Sequence, residues 1–255
     1  MTMARHAWYM TMRDLRALWR QPWYVAITLL QPVLYLLLFG ALFKSVAQIP
    51  GFASASYVDF LTPGIVMMTA LFSAGWSGMS TIQELERGTL DRLLTSPLRR
   101  VSLIAGRLLQ STAVVVLQSV IILAIAYAAG ARFGLGGAAA ILVFAALLGT
   151  AFAAFSNGVA LLSRNEQTLI GAVNFLILPL TFLSAAFMQK SLMPAWIQHV
   201  ADYNPVNWAT ESGRQLLTGV TDWGFVALRG GLLLALLAVC AVFATRAFRS
   251  YQRSV

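Results

Sequence analysis

Residues 135–162 read LGGAAAILVFAALLGTAFAAFSNGVALL, a stretch without a single charged side chain. A helix needs about 20 mainly apolar residues to cross a bilayer, so this stretch is long enough to span one. Similar apolar blocks recur along the 255-residue chain, which is 59% hydrophobic and only 11% charged. A soluble domain averages about 45–50% apolar and about 25% charged residues. The sequence therefore predicts an all-α, polytopic membrane protein with a single transmembrane domain over residues 1–255.

The apolar blocks predict six transmembrane helices, at residues 23–43, 60–82, 103–129, 135–162, 168–188 and 225–245. Three more polar segments lie outside them, at residues 1–21, 84–100 and 189–222. Residues 1–21 put Trp8 and Trp19 on one helical face with arginines beside it, which favours an amphipathic helix in the headgroup layer. A cytoplasmic helix packed on other protein is the alternative.

The basic residues predict the orientation of these spans. Thirteen of the 18 Lys and Arg residues fall on the side of the two termini and five on the opposite side. By the positive-inside rule, both termini and residues 84–100 are expected in the cytoplasm, and residues 189–222 outside it. The net charge of +9 therefore reflects membrane topology, and we expect no binding to nucleic acid.

The sequence contains no motif for catalysis or for a metal site. With Lys44 and Lys190 as its only lysines, it has no phosphate-binding loop, and it has neither a nucleophile elbow nor a His-Glu-x-x-His pair. One cysteine and two distant histidines supply no zinc ligand set. Arg107 and Arg229 lie near the ends of spans, where we expect them to snorkel to the interface. We expect no catalytic residue, no metal and no cofactor on this chain.

Residues 84–100 form the densest polar stretch, with seven charges bracketed by two apolar blocks. Gly88 permits a sharp bend, and Leu90, Leu93 and Leu94 would form the apolar face of a short cytoplasmic helix. Such a helix is either a docking element for another protein or a solvated connector, and composition does not decide between the two.

Residues 84–97, ELERGTLDRLLTSP, resemble the signature loop of the type-2 ABC exporter permeases, the drug- and lipid-exporting branch that includes daunorubicin-resistance permeases. A second match follows in order: PLTFLS at 179–184, MPAWIQ at 193–198, Asn204-Pro205, and RQLLTG at 214–219. Ala185 is a departure, because relatives often carry glycine after the serine. The departure puts the local backbone bend in question.

The resemblance implies six membrane helices in a dimer, for which a homodimer is favoured over a heterodimer. Two copies of a separate cytoplasmic ATP-binding cassette ATPase would hold the ATP and Mg. The residues that match the family's ATPase-coupling loop are Glu84, Glu86, Arg87, Gly88, Thr89, Leu90 and Asp91. Residues 192–219 would form short helices that dip back into the outer leaflet.

The resemblance also implies export of a hydrophobic or amphipathic drug or lipid-like molecule across a bacterial cytoplasmic (inner) membrane. For the substrate path we select polar or kinked positions of the spans: Gln31, Ser73, Asn174, Phe175 and Pro179. Hydrogen bonds that pack the helices are the alternative role for these residues. The competing function is a scaffold or passive channel that recruits a different cytoplasmic partner.

Overall fold

A computed structural model describes residues 22–45, 56–87, 100–219 and 221–252. The described residues contain these α-helices: α1 Pro22–Leu42, α2 Tyr57–Gly75, α3 Gly78–Glu86, α4 Arg100–Ala128, α5 Leu135–Ser163, α6 Glu166–Phe182, α7 Ala195–Asp202, α8 Pro205–Thr218 and α9 Trp223–Gln252. The all-α prediction is confirmed for these residues. The predicted amphipathic helix at 1–21 and residues 88–99 of the predicted coupling loop lie outside them.

Four stretches are long and apolar enough to cross a membrane: Tyr57–Glu86, Ala105–Ala128, Leu135–Ser163 and Trp223–Tyr251. They correspond to the predicted second, third, fourth and sixth spans. The first and fifth predicted spans appear as shorter apolar helices, Thr28–Leu42 and Glu166–Phe182. At 1.5 Å per residue, the 17 residues of α6 cover about 26 Å, slightly less than the roughly 30 Å hydrocarbon core.

The second predicted span is interrupted between α2 and α3. Trp76 and Ser77 form a turn there, and the side chain of Ser156 on α5 bridges it. Its hydroxyl accepts a hydrogen bond from the Gly78 amide (3.0 Å) and donates to the Gly75 carbonyl. Because these two backbone groups are satisfied by Ser156, the helix can break inside the protein without leaving polar atoms unpaired.

Small residues allow this close approach. A Cβ at Gly78 would lie 2.6 Å from the Ser156 carbonyl oxygen, and one at Gly75 would lie 2.5 Å from Cδ1 of Ile177 on α6. Glycine at these two positions therefore lets α5 and α6 approach this span closely.

The fifth predicted span ends earlier than expected. The sequence suggested a helix to residue 188, but α6 stops at Phe182. The Asn204 side-chain amide donates to the carbonyls of Leu180 (2.7 Å) and Leu183 (2.9 Å), so an asparagine from the following segment takes up these carbonyls. The sixth span is longer than predicted, because α9 continues as a helix through Gln252.

α2 and α5 lie at the centre of the bundle, and their largest fully buried side chains include Phe60, Ile65, Leu71 and Leu148. The outer faces of α1 and α9 instead expose many leucines and valines. An apolar exterior around a packed core is the distribution expected of a protein whose solvent is lipid.

Candidate functional site

A cavity of about 710 Å³ opens between α1, α2, α3, α4 and α5. Its volume is within the range of small-molecule sites, about 300–1,000 Å³. Polar residues on its wall include Thr28, Gln31, Ser73, Gln110, Gln118 and Asn157. Apolar residues on its wall include Pro32, Met68, Phe72, Trp76, Met79 and Val114. A wall that mixes uncharged polar groups with methionine and aromatic side chains suits an amphipathic ligand.

Gln118 on α4 is a buried, cavity-lining amide with spare hydrogen-bonding capacity. The residue is 2% exposed, and its Nε2 donates to Thr28 Oγ1 on α1 at 3.2 Å. Its Oε1 has no hydrogen-bond partner among the described residues. A buried acceptor without a partner typically costs about 1–3 kcal/mol, so a ligand that supplied a donor would recover part of that free energy.

Asn157 on α5 is, in contrast, fully engaged with protein. Its Nδ2 donates to the Ala153 carbonyl (2.7 Å) and to Ser77 Oγ (3.1 Å), and its Oδ1 accepts from Thr81 Oγ1 (2.5 Å). These bonds join α5 to α3 and to the turn before it. Asn157 therefore holds the cavity wall together.

Arg107 on α4 connects the cavity to α3. Its guanidinium lines the cavity, donates to Thr81 Oγ1 and forms an ion pair with Glu84. A carboxylate and a hydroxyl within the protein therefore pair with Arg107, and its snorkelling to the interface stays a prediction. Among the described residues on this wall, Arg107 is the only charged one, and Glu84 compensates its charge.

The five residues selected for a substrate path do not share one site. Gln31 and Ser73 line the cavity. Asn174, Phe175 and Pro179 lie on α6 and are not part of its wall, and Phe175 is 80% exposed. For all five, a role in transport stays a prediction.

The predicted ATPase-coupling residues are described only at their start. Glu84 pairs with Arg107, whereas Glu86 and Arg87 are exposed at the end of α3. Gly88, Thr89, Leu90 and Asp91 lie outside the described residues.

Sequence reasoning missed Gln118, Asn157 and the role of Arg107. The predicted substrate path contains the neutral amides Gln31 and Asn174 of the first and fifth spans, but not Gln118 and Asn157 of the third and fourth. The signal was present, because a glutamine or asparagine in the middle of an apolar helix must find hydrogen-bond partners away from water.

The opposite end of the bundle is organised around the turn at residues 183–189. Arg214 on α8 donates to the carbonyls of Phe60 (3.2 Å) and Ala185 (2.8 Å) and lies over the Phe60 ring. Burial lowers the pKa of Arg214 to about 10 and nearby Glu211 opposes the shift, so the guanidinium stays charged at neutral pH. Asn207 Oδ1 accepts from the Ala185 amide at 2.9 Å. Arg214, which belongs to the second stretch of family resemblance, therefore holds this turn together with Asn207.

Alanine at position 185, where relatives often carry glycine, does not disturb the backbone bend. Among the described non-glycine residues, only Arg164 has a positive φ, so the backbone at position 185 is accessible to alanine.

Arg229 on α9 also has protein partners, and its snorkelling to the interface stays a prediction. It donates to the Asp202 carbonyl at 2.9 Å and lies 3.7 Å from the Asp202 carboxylate, which also pairs with Lys190. These contacts tie α7 to α9 and to the chain before α7. Within the described residues, no cluster of His, Cys, Asp and Glu side chains could hold a metal ion.

Apolar outer helices around an internal polar cavity define a multi-pass helical membrane protein. Residues 5–218 match the ABC-2 type transporter family, and the chain belongs to that family. Members of this family are permease subunits of ABC transporters and are not themselves catalytic, and the family implies an ABC ATPase partner. The chain is thus the membrane subunit of an ABC transporter, as the resemblance implied.

Three relatives illustrate the similarity. The protein ycf38 of Pyropia yezoensis is 31% identical over 240 residues, covering 87% of this chain and 80% of its own length. The daunorubicin resistance ABC transporter permease protein DrrB1 of Streptomyces coeruleorubidus is 29% identical, covering 88% of this chain and 77% of its own. The inner membrane transport permease YadH of Escherichia coli strain K12 is 27% identical, covering 83% of each.

Proposed function

We propose that this chain is the permease subunit of an ABC exporter that moves a hydrophobic or amphipathic molecule, drug or lipid-like, out across a bacterial cytoplasmic membrane. Two copies of a separate ATPase, which bind ATP and Mg, supply the energy. The permease acts as a dimer, with a homodimer favoured, and both termini face the cytoplasm. This proposal rests on family membership and on the names of relatives such as DrrB1.

The observation that supports it most strongly is the contact of Glu84 with Arg107. Glu84 begins the segment that resembles the family's ATPase-coupling loop, and Arg107 is part of the cavity wall. A displacement of α3 by the ATPase would therefore move a side chain that lines the cavity. Glu86 and Arg87, exposed at the end of α3, are available for the ATPase itself.

The test is transport by proteoliposomes that contain the permease with its cassette ATPase. Daunorubicin and a neutral, fluorescently labelled monoacylglycerol serve as probes. We expect one or both to move only when ATP and Mg are present on the ATPase side, and we expect the permease alone to hydrolyse no ATP.

Two results would contradict the proposal. ATP hydrolysis by the isolated permease would mean that the chain is an enzyme. Leakage of trapped calcein through the permease without ATP, in the absence of ATP-driven transport, would favour the passive channel instead.

A further inference from the structure

We propose that the cavity lined by helices α1 to α5 binds an uncharged amphipathic molecule. The polar end of this molecule carries a hydroxyl or amide hydrogen-bond donor, and Gln118 Oε1 accepts the hydrogen bond. The inference rests on the proposed function in that it names the cargo class. This binding site differs from the substrate path predicted from the sequence, because it lies within one protomer and does not include Asn174, Phe175 and Pro179.

The two buried amides on the wall differ in their hydrogen bonding. Both polar atoms of Asn157 have protein partners, so this residue has little to offer a ligand. Gln118 is 2% exposed, and no described residue partners its Oε1, although its Nε2 donates to Thr28. An anchored amide with one unused acceptor is prepared to receive a donor without first losing a bond to protein.

The charge on the described part of the cavity wall is compensated within the protein. Of the described residues on the wall, only Arg107 is charged, and Glu84 forms an ion pair with it. A cationic head group would meet no free carboxylate, and an anionic one would have to compete with Glu84 for the guanidinium. Because an uncompensated charge in a protected site is costly, the cavity favours a neutral head group over either ion.

The cavity wall also has a large apolar part. Met68, Phe72, Trp76 and Met79 form a flexible and aromatic surface beside the amides. Methionine side chains adapt to irregular apolar shapes, and aromatic rings contribute large contact areas. The same cavity can therefore hold a hydrocarbon chain or ring system next to a hydroxyl.

The experiment uses Trp76 as a reporter. The permease is placed in lipid nanodiscs, and the quenching of its fluorescence by 1-O-(6,7-dibromododecyl)glycerol is measured as the probe fraction rises. The part of the signal that disappears in Trp76→Phe reports on the cavity. The dimethyl ether of the same probe keeps the acceptor oxygens but has no donor, and a trimethylammonium and a phosphate analogue carry the charges.

We expect the diol to bind about threefold to tenfold more tightly than its dimethyl ether, which is the contribution of one hydrogen bond. In Gln118→Leu, both probes should bind with the weaker affinity. Gln167→Leu, at an exposed position on α6, should keep the wild-type preference. The comparison of diol and ether on the unmodified protein remains decisive if Gln118→Leu does not fold.

Equal binding of diol and ether to the wild type would overturn the inference, as would a preference that persists in Gln118→Leu. Tighter binding of the cationic or the phosphate probe would also overturn it. Because these measurements need no ATPase, they are independent of the transport assay. ATP-driven transport together with any of these results would leave the exporter intact and remove only the cargo class.

Discussion

At the scale of residues, hydrogen bonding separates two amides that look equivalent in sequence. Asn157 and Gln118 are both buried in apolar helices, but only Asn157 has partners for both of its polar atoms. Hydrogen bonds between membrane helices contribute about 0.6–2 kcal/mol each. Asn157 therefore stabilises the fold, whereas Gln118 keeps an acceptor oxygen that can bind a ligand.

We predict that Asn157→Leu lowers the stability of the permease by about 1–3 kcal/mol, because it leaves the partners of both amide atoms without their bonds. Gln118→Leu should lower it less, since the substitution removes a single bond and also an acceptor that has no partner. Thermal unfolding in the same detergent compares the two variants. An equal or larger loss for Gln118→Leu would assign that residue a structural role.

Gly78 gives a second prediction at this scale. Its Cβ would lie 2.6 Å from a backbone oxygen of α5, so Gly78→Ala should cost about 1–3 kcal/mol through overpacking. Gly171→Ala is the matched control, because no neighbouring atom of the described part of the chain lies within 4 Å of its Cβ position and alanine is the better helix former. The melting temperature should fall for the first variant and stay level or rise for the second.

At the scale of elements, the bundle depends on contacts between segments distant in sequence. The side-chain oxygen of Asn204 caps α8 by accepting a hydrogen bond from the Val206 amide (2.9 Å). Its side-chain nitrogen donates to the Leu180 and Leu183 carbonyls at the end of α6. The neighbouring Asn207 and Arg214 hold the same turn. Two helix ends therefore share one cluster of side chains.

We predict that Asn204→Ala destabilises the permease by about 2 kcal/mol or more, since it removes a helix cap together with two further hydrogen bonds. Gln167→Ala serves as the control at an exposed position. Limited proteolysis should show earlier cleavage near residues 183–204 in Asn204→Ala. Unchanged stability and cleavage would mean that the turn does not depend on this side chain.

The ion pair of Glu84 and Arg107 joins α3 to α4, and we predict that the two residues are energetically coupled. A double-mutant cycle with Glu84→Gln and Arg107→Leu should give an interaction energy between about 0.5 and 3 kcal/mol in thermal unfolding. Additive effects of the two substitutions would show that the pair contributes nothing to the link between these helices.

Composition and motifs predicted much at this scale. The apolar blocks located the helices, and the turn between α5 and α6 fell at Ser163–Gln167 as the sequence indicated. The break at Trp76 and the early end of α6 were not predictable, because Ser156 and Asn204 create them from elsewhere in the chain. The same limit applies to the cavity, whose wall combines five helices.

At the scale of the whole molecule, the chain places its polar chemistry inside a bundle whose outer faces are apolar. The cavity lies beside the helix that carries Glu84, so substrate and ATPase would act on one structural unit. We therefore expect this cavity to be part of the route of ATP-driven export.

The most direct measurement fills the cavity and follows transport and ATP hydrolysis in the same proteoliposomes. Ser73→Trp introduces a large side chain on the wall, and Ile170→Trp places the same side chain on an exposed part of α6. We predict that the Ser73 variant assembles with the ATPase and hydrolyses ATP but loses transport of the neutral monoacylglycerol, while the Ile170 variant transports normally. Undiminished transport by an assembled Ser73→Trp complex would contradict the account.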